Sequence, residues 1–211
     1  MTVVALSASY GAGGSQIGPA LAERLGVPFL DRAIPARVAG ELEVPLDDAL
    51  SHDERMSGSW IERMLAGFIG LDNGPGPLPA DTVSSDDFRR VTERLLREQA
   101  ATGEGVILGR ASVLVLRDEP DVIRVRLDGP AELRIRQAME LVGISRETAE
   151  RRCRQLDQTH AAYGEHFYGA RFTDPALYHL MLDSTALELE TCVEMIELAA
   201  RSARRRTPEP R

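Results

Sequence analysis

Short apolar runs alternate with longer amphipathic stretches along this chain. Five of the runs predict strands: Thr2 to Leu6, Pro28 to Leu30, Val106 to Leu108, Val122 to Leu127 and Tyr178 to Leu182. Several are nearly continuous rather than alternating, which suits strands buried on both faces of a parallel sheet. Between them, helical spacing predicts helices over Ile17 to Leu25, Ala33 to Glu41, Ser59 to Ile69, Phe88 to Ala100, Ala131 to Val142, Glu147 to Tyr163 and Leu187 to Ala203. Strands alternating with helices imply right-handed crossovers, so the expected class is α/β, a doubly wound five-stranded parallel sheet with flanking helices. Ser145 ahead of RETAE, and Ser84 and Ser85 ahead of DDF, are N-cap residues for two of these helices. The Gly- and Pro-rich GLDNGPGPLPADTVSSDD reads as an exposed connection, and RSARRRTPEPR as a tail that frays.

Between the first strand and the first helix lies SASYGAGGSQIG, from Ser7 to Gly18. A phosphate-binding P-loop reads G-x-x-x-x-G-K-[ST], with backbone amides around the phosphates, a lysine on the outer ones and a hydroxyl on magnesium. Setting Gly13 on the second glycine puts Ala8 at the first, Gly14 at the lysine and Ser15 at the hydroxyl. The strict motif fails twice, and what survives is the part that backbone supplies. Gly11, Gly13 and Gly14 permit unusual torsions, and a helix opening near Ser15 and Gln16 aims free amides at an anion. The candidate cradle is Gly11, Ala12, Gly13, Gly14, Ser15 and Gln16. Taken alone, a plain strand-to-helix turn explains the glycines as well. The position at the carboxyl end of a parallel strand, where α/β folds place ligands, favours the cradle.

Composition changes this picture in one respect. All 25 basic residues among the 211 are arginine, so no ammonium group can act at a phosphate site and guanidinium forks must do so. The net charge of -8 argues against nucleic-acid partners. No apolar stretch approaches the roughly 18 residues that span a bilayer. The opening MTVVALSA lacks a basic leader, so the chain is expected to begin in its first strand, in the cytoplasm. Cys153 and Cys192 show neither CxxC nor Cys/His spacing and read as two free, buried thiols. His52, His166 and His179 show no metal spacing, and no Ser/His/Asp constellation emerges. Trp60, Met64 and Phe68 form an apolar stripe that reads as core or homodimer contact, with a base pocket as the alternative.

SASYGAGGSQIGPALAERLGVPFLDR resembles the opening of the cytidylate kinase-like family. Its members carry a similar Ser-x-x-Tyr-Gly-x-Gly-Gly loop without the lysine, then a Leu-Gly-x-Pro-Phe-x-Asp turn matched by Leu25, Gly26, Pro28, Phe29 and Asp31. VILGRASVLVL, RVRLDGPAELRIRQAM, AERRCRQLDQTHAAY and YHLMLDSTALELETCVEMI extend the resemblance over most of the chain, with residues 44–100 the weakest part. The resemblance implies a fold of P-loop kinase type in a single domain, residues 1–203. That domain would have an acceptor-binding helical region near 32–100, a small helical lid near 134–165 and a disordered tail at 204–211. It implies ATP and Mg2+ as cofactors, with Ser15 helping to hold the metal, and CMP or dCMP as acceptor. Arg110, ending the third strand, would hold the acceptor; Asp31 would hold it too or orient magnesium through water, and capping of the next helix explains Asp31 without a ligand. Arg134, Arg151, Arg154 and Asp157 would close over the transferring group, with Arg136 less secure. A solvated arginine face explains Arg151, Arg154 and Asp157 as well without a ligand.

Three departures from the family pattern remove cations or acids: Ala8 and His160 where arginine is common, and Ala111 where some members have an acid. They motivate a second reading, a nucleotide-binding or regulatory protein that has lost its chemistry. A third reading is a P-loop kinase for another small acceptor.

Overall fold

In the computed structural model, residues 2–30, 85–109 and 111–203 are described. The helices expected over Ala33 to Glu41 and Ser59 to Ile69, the connection up to residue 84 and the tail from 204 lie outside them, as do Asp31, Trp60, Met64, Phe68 and Arg110. The chain divides into two compact units, one formed by Met1–Asp31 with Leu96–Arg211 and the other by Arg32–Leu95.

The first unit holds a five-stranded parallel sheet. Its strands are β1 (Thr2–Ala8), β2 (Phe29–Leu30), β3 (Glu104–Leu108), β4 (Val122–Asp128) and β5 (Leu180–Asp183), in the order β2-β3-β1-β4-β5. The described helices are α1 (Gly14–Leu25), α2 (Ser85–Ala101), α3 (Ser112–Val115), α4 (Ala131–Val142), α5 (Arg146–Tyr168) and α6 (Leu189–Ala203), with a 3-10 turn at Pro175–Leu177. Residues 85–95 of α2 belong to the second unit, where Arg89 pairs with Glu93 one turn on, at 3.1 Å.

The five expected strands and five of the expected helices are present, all with shifted ends except α4, which keeps both. Residues 112–115, for which no element is expected, make a short helix. α5 runs past its expected end at Tyr163, and Gly164 within it is a packing residue: a Cβ there would stand 2.6 Å from the Ala170 carbonyl oxygen. The helix stops at Gly169, which is left-handed at φ 58°. Its start is the one expected, with the Ser145 hydroxyl accepting from the Thr148 amide at 3.3 Å.

The two faces of the sheet differ. On one, Val4, Leu6, Val125 and Leu127 pack against Ile17 and Leu21 of α1 and Val193 and Ile196 of α6. Each such side chain contributes roughly 1.5–3 kcal/mol by leaving water. On the other face Ala5 pairs with Arg124 and Ser7 with Arg126, so polar groups begin toward the carboxyl ends of the central strands.

Candidate functional site

β1 ends at Ala8 and α1 begins at Gly14, so residues 9–13 cross from sheet to helix in one turn. The Ala12 amide donates to the Ser9 carbonyl at 3.0 Å, and the Gly13 carbonyl accepts from the Gln16 and Ile17 amides at 3.0 and 2.9 Å. Gly11 and Gly13 are left-handed, with φ of 80° and 71°, which costs an L side chain about 1–2 kcal/mol. A Cβ at Gly11 would also collide with the carbonyl oxygen of Arg134. Gly11 is therefore required by the adjoining helix α4 as well as by the turn. Ala8 packs beneath the loop, where a Cβ at Gly14 would stand 2.7 Å from its own. Ser184, just past β5, donates to the Ala12 carbonyl at 2.8 Å and fixes the turn from behind. The first-turn amides of α1 thus face outward beside the central strand's end, the arrangement that binds anions. Ser15 and Gln16 are exposed there, and the Ser15 hydroxyl donates to Gln16 Oε1 at 2.8 Å.

Two arginines organise the groups around the loop. Arg134 donates from Nε to the Gly129 carbonyl at 2.9 Å and from Nη1 to the Tyr10 carbonyl at 2.9 Å. Its Nη1 and Nη2 meet the Asp157 carboxylate at 3.2 and 2.7 Å, and Nη1 also contacts Cys153 Sγ at 3.3 Å. Burial alone would lower the Arg134 pKa, but the hydrogen bond and charge of Asp157 raise it above its ordinary value. Burial pushes the Cys153 thiol up, Asp157 adds to that, and Arg134 opposes it.

Arg126, on β4, is 6% exposed. It donates to the hydroxyls of Ser7 at 2.8 Å and Ser9 at 2.6 Å, and from Nε and Nη2 to Asp128 Oδ2 at 3.3 and 3.0 Å. Burial works to raise the Asp128 pKa, but the Arg126 charge, the Ser9 hydroxyl and the Gly129 amide hold it below its ordinary value, so the carboxylate is ionised. Tyr178, whose hydroxyl donates to the Phe172 carbonyl at 2.8 Å, adjoins Ser7, and burial raises its pKa.

A cavity of about 270 Å3 opens in front of the loop, bounded by Gly11, Gly13, Gly14 and Ser15, by Gly109 at the end of β3, and by Leu141 and Leu156 opposite. A second, of about 400 Å3, lies against Asp128, Arg134, Asp157, Glu165 and Arg171. Ser9, Arg126, His160 and Phe172 border both. Of the expected site residues, the structure brings together the loop, Arg134 and Asp157. Arg151, Arg154 and Arg136 are exposed and border neither cavity, and Ala12 is buried with its carbonyl turned to Ser184. Sequence reasoning missed Ser7, Ser9, Arg126, Asp128 and Ser184. The available signal was a pair of charges inside the apolar run VIRVRLD, since a charge in a strand buried on both faces needs a partner.

The parallel sheet, its strand order and the glycine loop opening α1 define the P-loop kinase fold. The chain matches the sequence model of the cytidylate kinase-like family over residues 3–186, and it belongs to that family. A curated relative, the cytidylate kinase of Methanopyrus kandleri, is 30% identical over 101 residues, covering 44% of this chain and 52% of the relative. The chain thus spans about half the length of that relative. Among solved structures, an uncharacterized protein from Eubacterium ventriosum is similar with a TM-score of 0.66 at 18% identity, covering 96% of this chain and 99% of the other. The shikimate kinase of Bacteroides thetaiotaomicron has a TM-score of 0.50 at 16% identity, covering 95% and 98% of the two chains. A gluconokinase from Sinorhizobium meliloti also has a TM-score of 0.50, at 19% identity, covering 97% and 94%. At these identities the likeness is one of fold. Among the described residues, no helix is long and apolar enough to cross a membrane, and no cluster of metal-ligating side chains occurs.

Proposed function

We propose that this chain is a cytoplasmic nucleoside monophosphate kinase that binds ATP at residues 11–16 and transfers its γ-phosphoryl group to CMP or dCMP. The observation that carries the proposal is the loop at the carboxyl end of the central strand, in a chain that matches the cytidylate kinase-like family over residues 3–186. The pyrimidine acceptor rests on the family and on the name of the Methanopyrus kandleri relative.

Phosphoryl transfer asks a protein chiefly to hold two phosphate groups in line and to stabilise charge on the transferring one. The outward amides of α1 hold the donor phosphates by hydrogen bonds that backbone alone provides. Ser15, exposed at the start of that helix, is the residue that would hold magnesium, which supplies charge neutralisation at the donor phosphates. Arg110 follows Gly109, which borders the loop cavity, and is assigned to the acceptor with Asp31. Arg134 holds Tyr10 and Asp157 in register, fixing the loop against α5. Arg151 and Arg154 are assigned to the transferring group in the ligand-bound state.

A second reading has its own support. The Arg134 fork is engaged with protein partners, and the chain has no lysine to take over its charge, as a nucleotide-binding protein without turnover would show. ADP formation with magnesium ATP and a panel of nucleoside monophosphates separates the two. Turnover with CMP or dCMP that is lost in Arg110→Ala, through weaker acceptor rather than ATP binding, supports the kinase. ATP binding by calorimetry without turnover on any monophosphate overturns the monophosphate kinase and leaves the second reading, provided that other small acceptors also give no ADP.

A further inference from the structure

The loop cavity has one conspicuous electrostatic need. If donor and acceptor phosphates meet there, two anions approach within a few ångströms, and at an effective dielectric constant near 20 their repulsion at about 4 Å is on the order of 4 kcal/mol. Loop amides offset part of this for the donor. Among the described residues, Arg126 is the only arginine that borders this cavity, and it borders the second one too. Arg134 borders only the second.

The surroundings of Arg126 also fix its position. Ser7 lies beside it in the β1–β4 register, and the Ser7, Ser9 and Asp128 contacts come from three directions, so the guanidinium is held without freedom to swing. A charge held this way loses little entropy on binding an anion, the condition under which a guanidinium is most effective. Asp128 is the opposing feature: its carboxylate shares Arg126 Nη2 with Ser9 and lies 3.5 Å from Arg134 Nε. It therefore competes for the same positive charge that an incoming anion would use.

We propose that Arg126, seated on Ser7, Ser9 and Asp128 between the two cavities, binds the phosphate monoester of the acceptor and supplies the cation that the lysine-free loop lacks. The inference deepens the phosphotransfer reading, and rests on it for the identity of the acceptor. Arg126 then selects for acceptors bearing an oxyanion over neutral ones, a discrimination that the loop motif does not encode.

The test is equilibrium binding of CMP, cytidine, orthophosphate and magnesium ATP to the full chain, with Arg126→Met, Arg126→Lys and Asp128→Asn, each checked for a cooperative melt. In Arg126→Met, CMP and orthophosphate affinities should fall about tenfold or more, while cytidine and ATP affinities stay within about twofold. Arg126→Lys keeps the charge and loses the fork, so its loss should be smaller; it takes over the test if the Met variant does not fold. Asp128→Asn should tighten orthophosphate binding, and that gain should vanish when Arg126→Met is added, which a purely structural Arg126 would not produce. Unchanged CMP and orthophosphate affinity in a folded Arg126 variant, or weaker anion binding in Asp128→Asn, overturns the assignment. Orthophosphate binding that depends on Arg126, with CMP bound no more tightly than orthophosphate and cytidine not bound, removes the pyrimidine acceptor and leaves Arg126 in place.

Discussion

Arg124 and Arg126 lie two residues apart on the same face of β4, and their surroundings are opposites. Arg124 donates from Nε to the Leu177 carbonyl at 2.8 Å and contacts both ring nitrogens of His179, through its own amide at 3.1 Å and Nη2 at 3.2 Å. No carboxylate touches it among the described residues, and burial lowers its pKa, with the more distant Asp118 charge opposing. Arg126 meets two hydroxyls and a carboxylate and borders both cavities. One residue type on one strand thus serves as a strut near the strand's middle and as a held cation near its carboxyl end. The difference lies in what the next elements deliver: β1 brings Ser7 and Ser9 to Arg126, while the segment before β5 brings Leu177 and His179 to Arg124.

That contrast can be broken in graded steps. Replacing Arg126 with Met strands Asp128 and two buried hydroxyls, and should cost about 3 kcal/mol of unfolding free energy in urea. Arg124→Met should cost about 1 kcal/mol, because only neutral partners are left behind. Equal losses would erase the distinction. Ser9→Ala removes one contact to Arg126 and leaves Ser7 and Asp128, so a loss of about 1 kcal/mol is expected in the same experiment.

The smallest effect is in the pH dependence at the Arg124 end. Burial and the adjacent Arg124 charge hold the His179 pKa below its ordinary 6.5. A neutral imidazole has one acceptor nitrogen and a protonated one has none, so protonation also removes its bond from the Arg124 amide. The unfolded chain then binds the proton more readily, and stability should decline as pH falls from about 6.5 through the folded value. His179→Gln should flatten the melting curve midpoints between about pH 7.5 and 5.5 relative to the unmodified chain; a parallel decline in both would remove His179 as its source.

The parts of this molecule that sequence reading reached are those written locally. The loop is legible because Gly11, Gly13, Gly14 and Ser15 are neighbours, and the sheet because β1 is a nearly unbroken apolar run and β4 carries Val122, Ile123, Val125 and Leu127. The Arg126 centre is not, because Ser7 and Ser9 stand 119 and 117 positions away and only the β1–β4 register joins them. Arg134 and Asp157 were both singled out, but their pairing with each other and with the Tyr10 carbonyl depends on how α4 and α5 pack. Helix α3 escaped because SVLV has no period to read in four residues. Arg151 and Arg154 share a helix with Asp157, yet the helix turns them to solvent while Cys153 and Asp157 face Arg134.

The place of β1 at the middle of the sheet also sets a timetable for assembly. Its hydrogen-bonding neighbours begin at Glu104 on one side and Val122 on the other, so the earliest of the five strands has no partner until nearly half of the 211 residues have been made. Pairings this distant in sequence carry a large loop-closure cost before any contact repays it, and such topologies fold slowly. Meanwhile TVVALSA is a bare apolar strand with two unpaired edges, the kind of segment that associates with other chains. The glycine loop is therefore tethered to the segment most dependent on being shielded during synthesis, and slower translation should lower the soluble yield of this protein before it alters any property of the folded molecule.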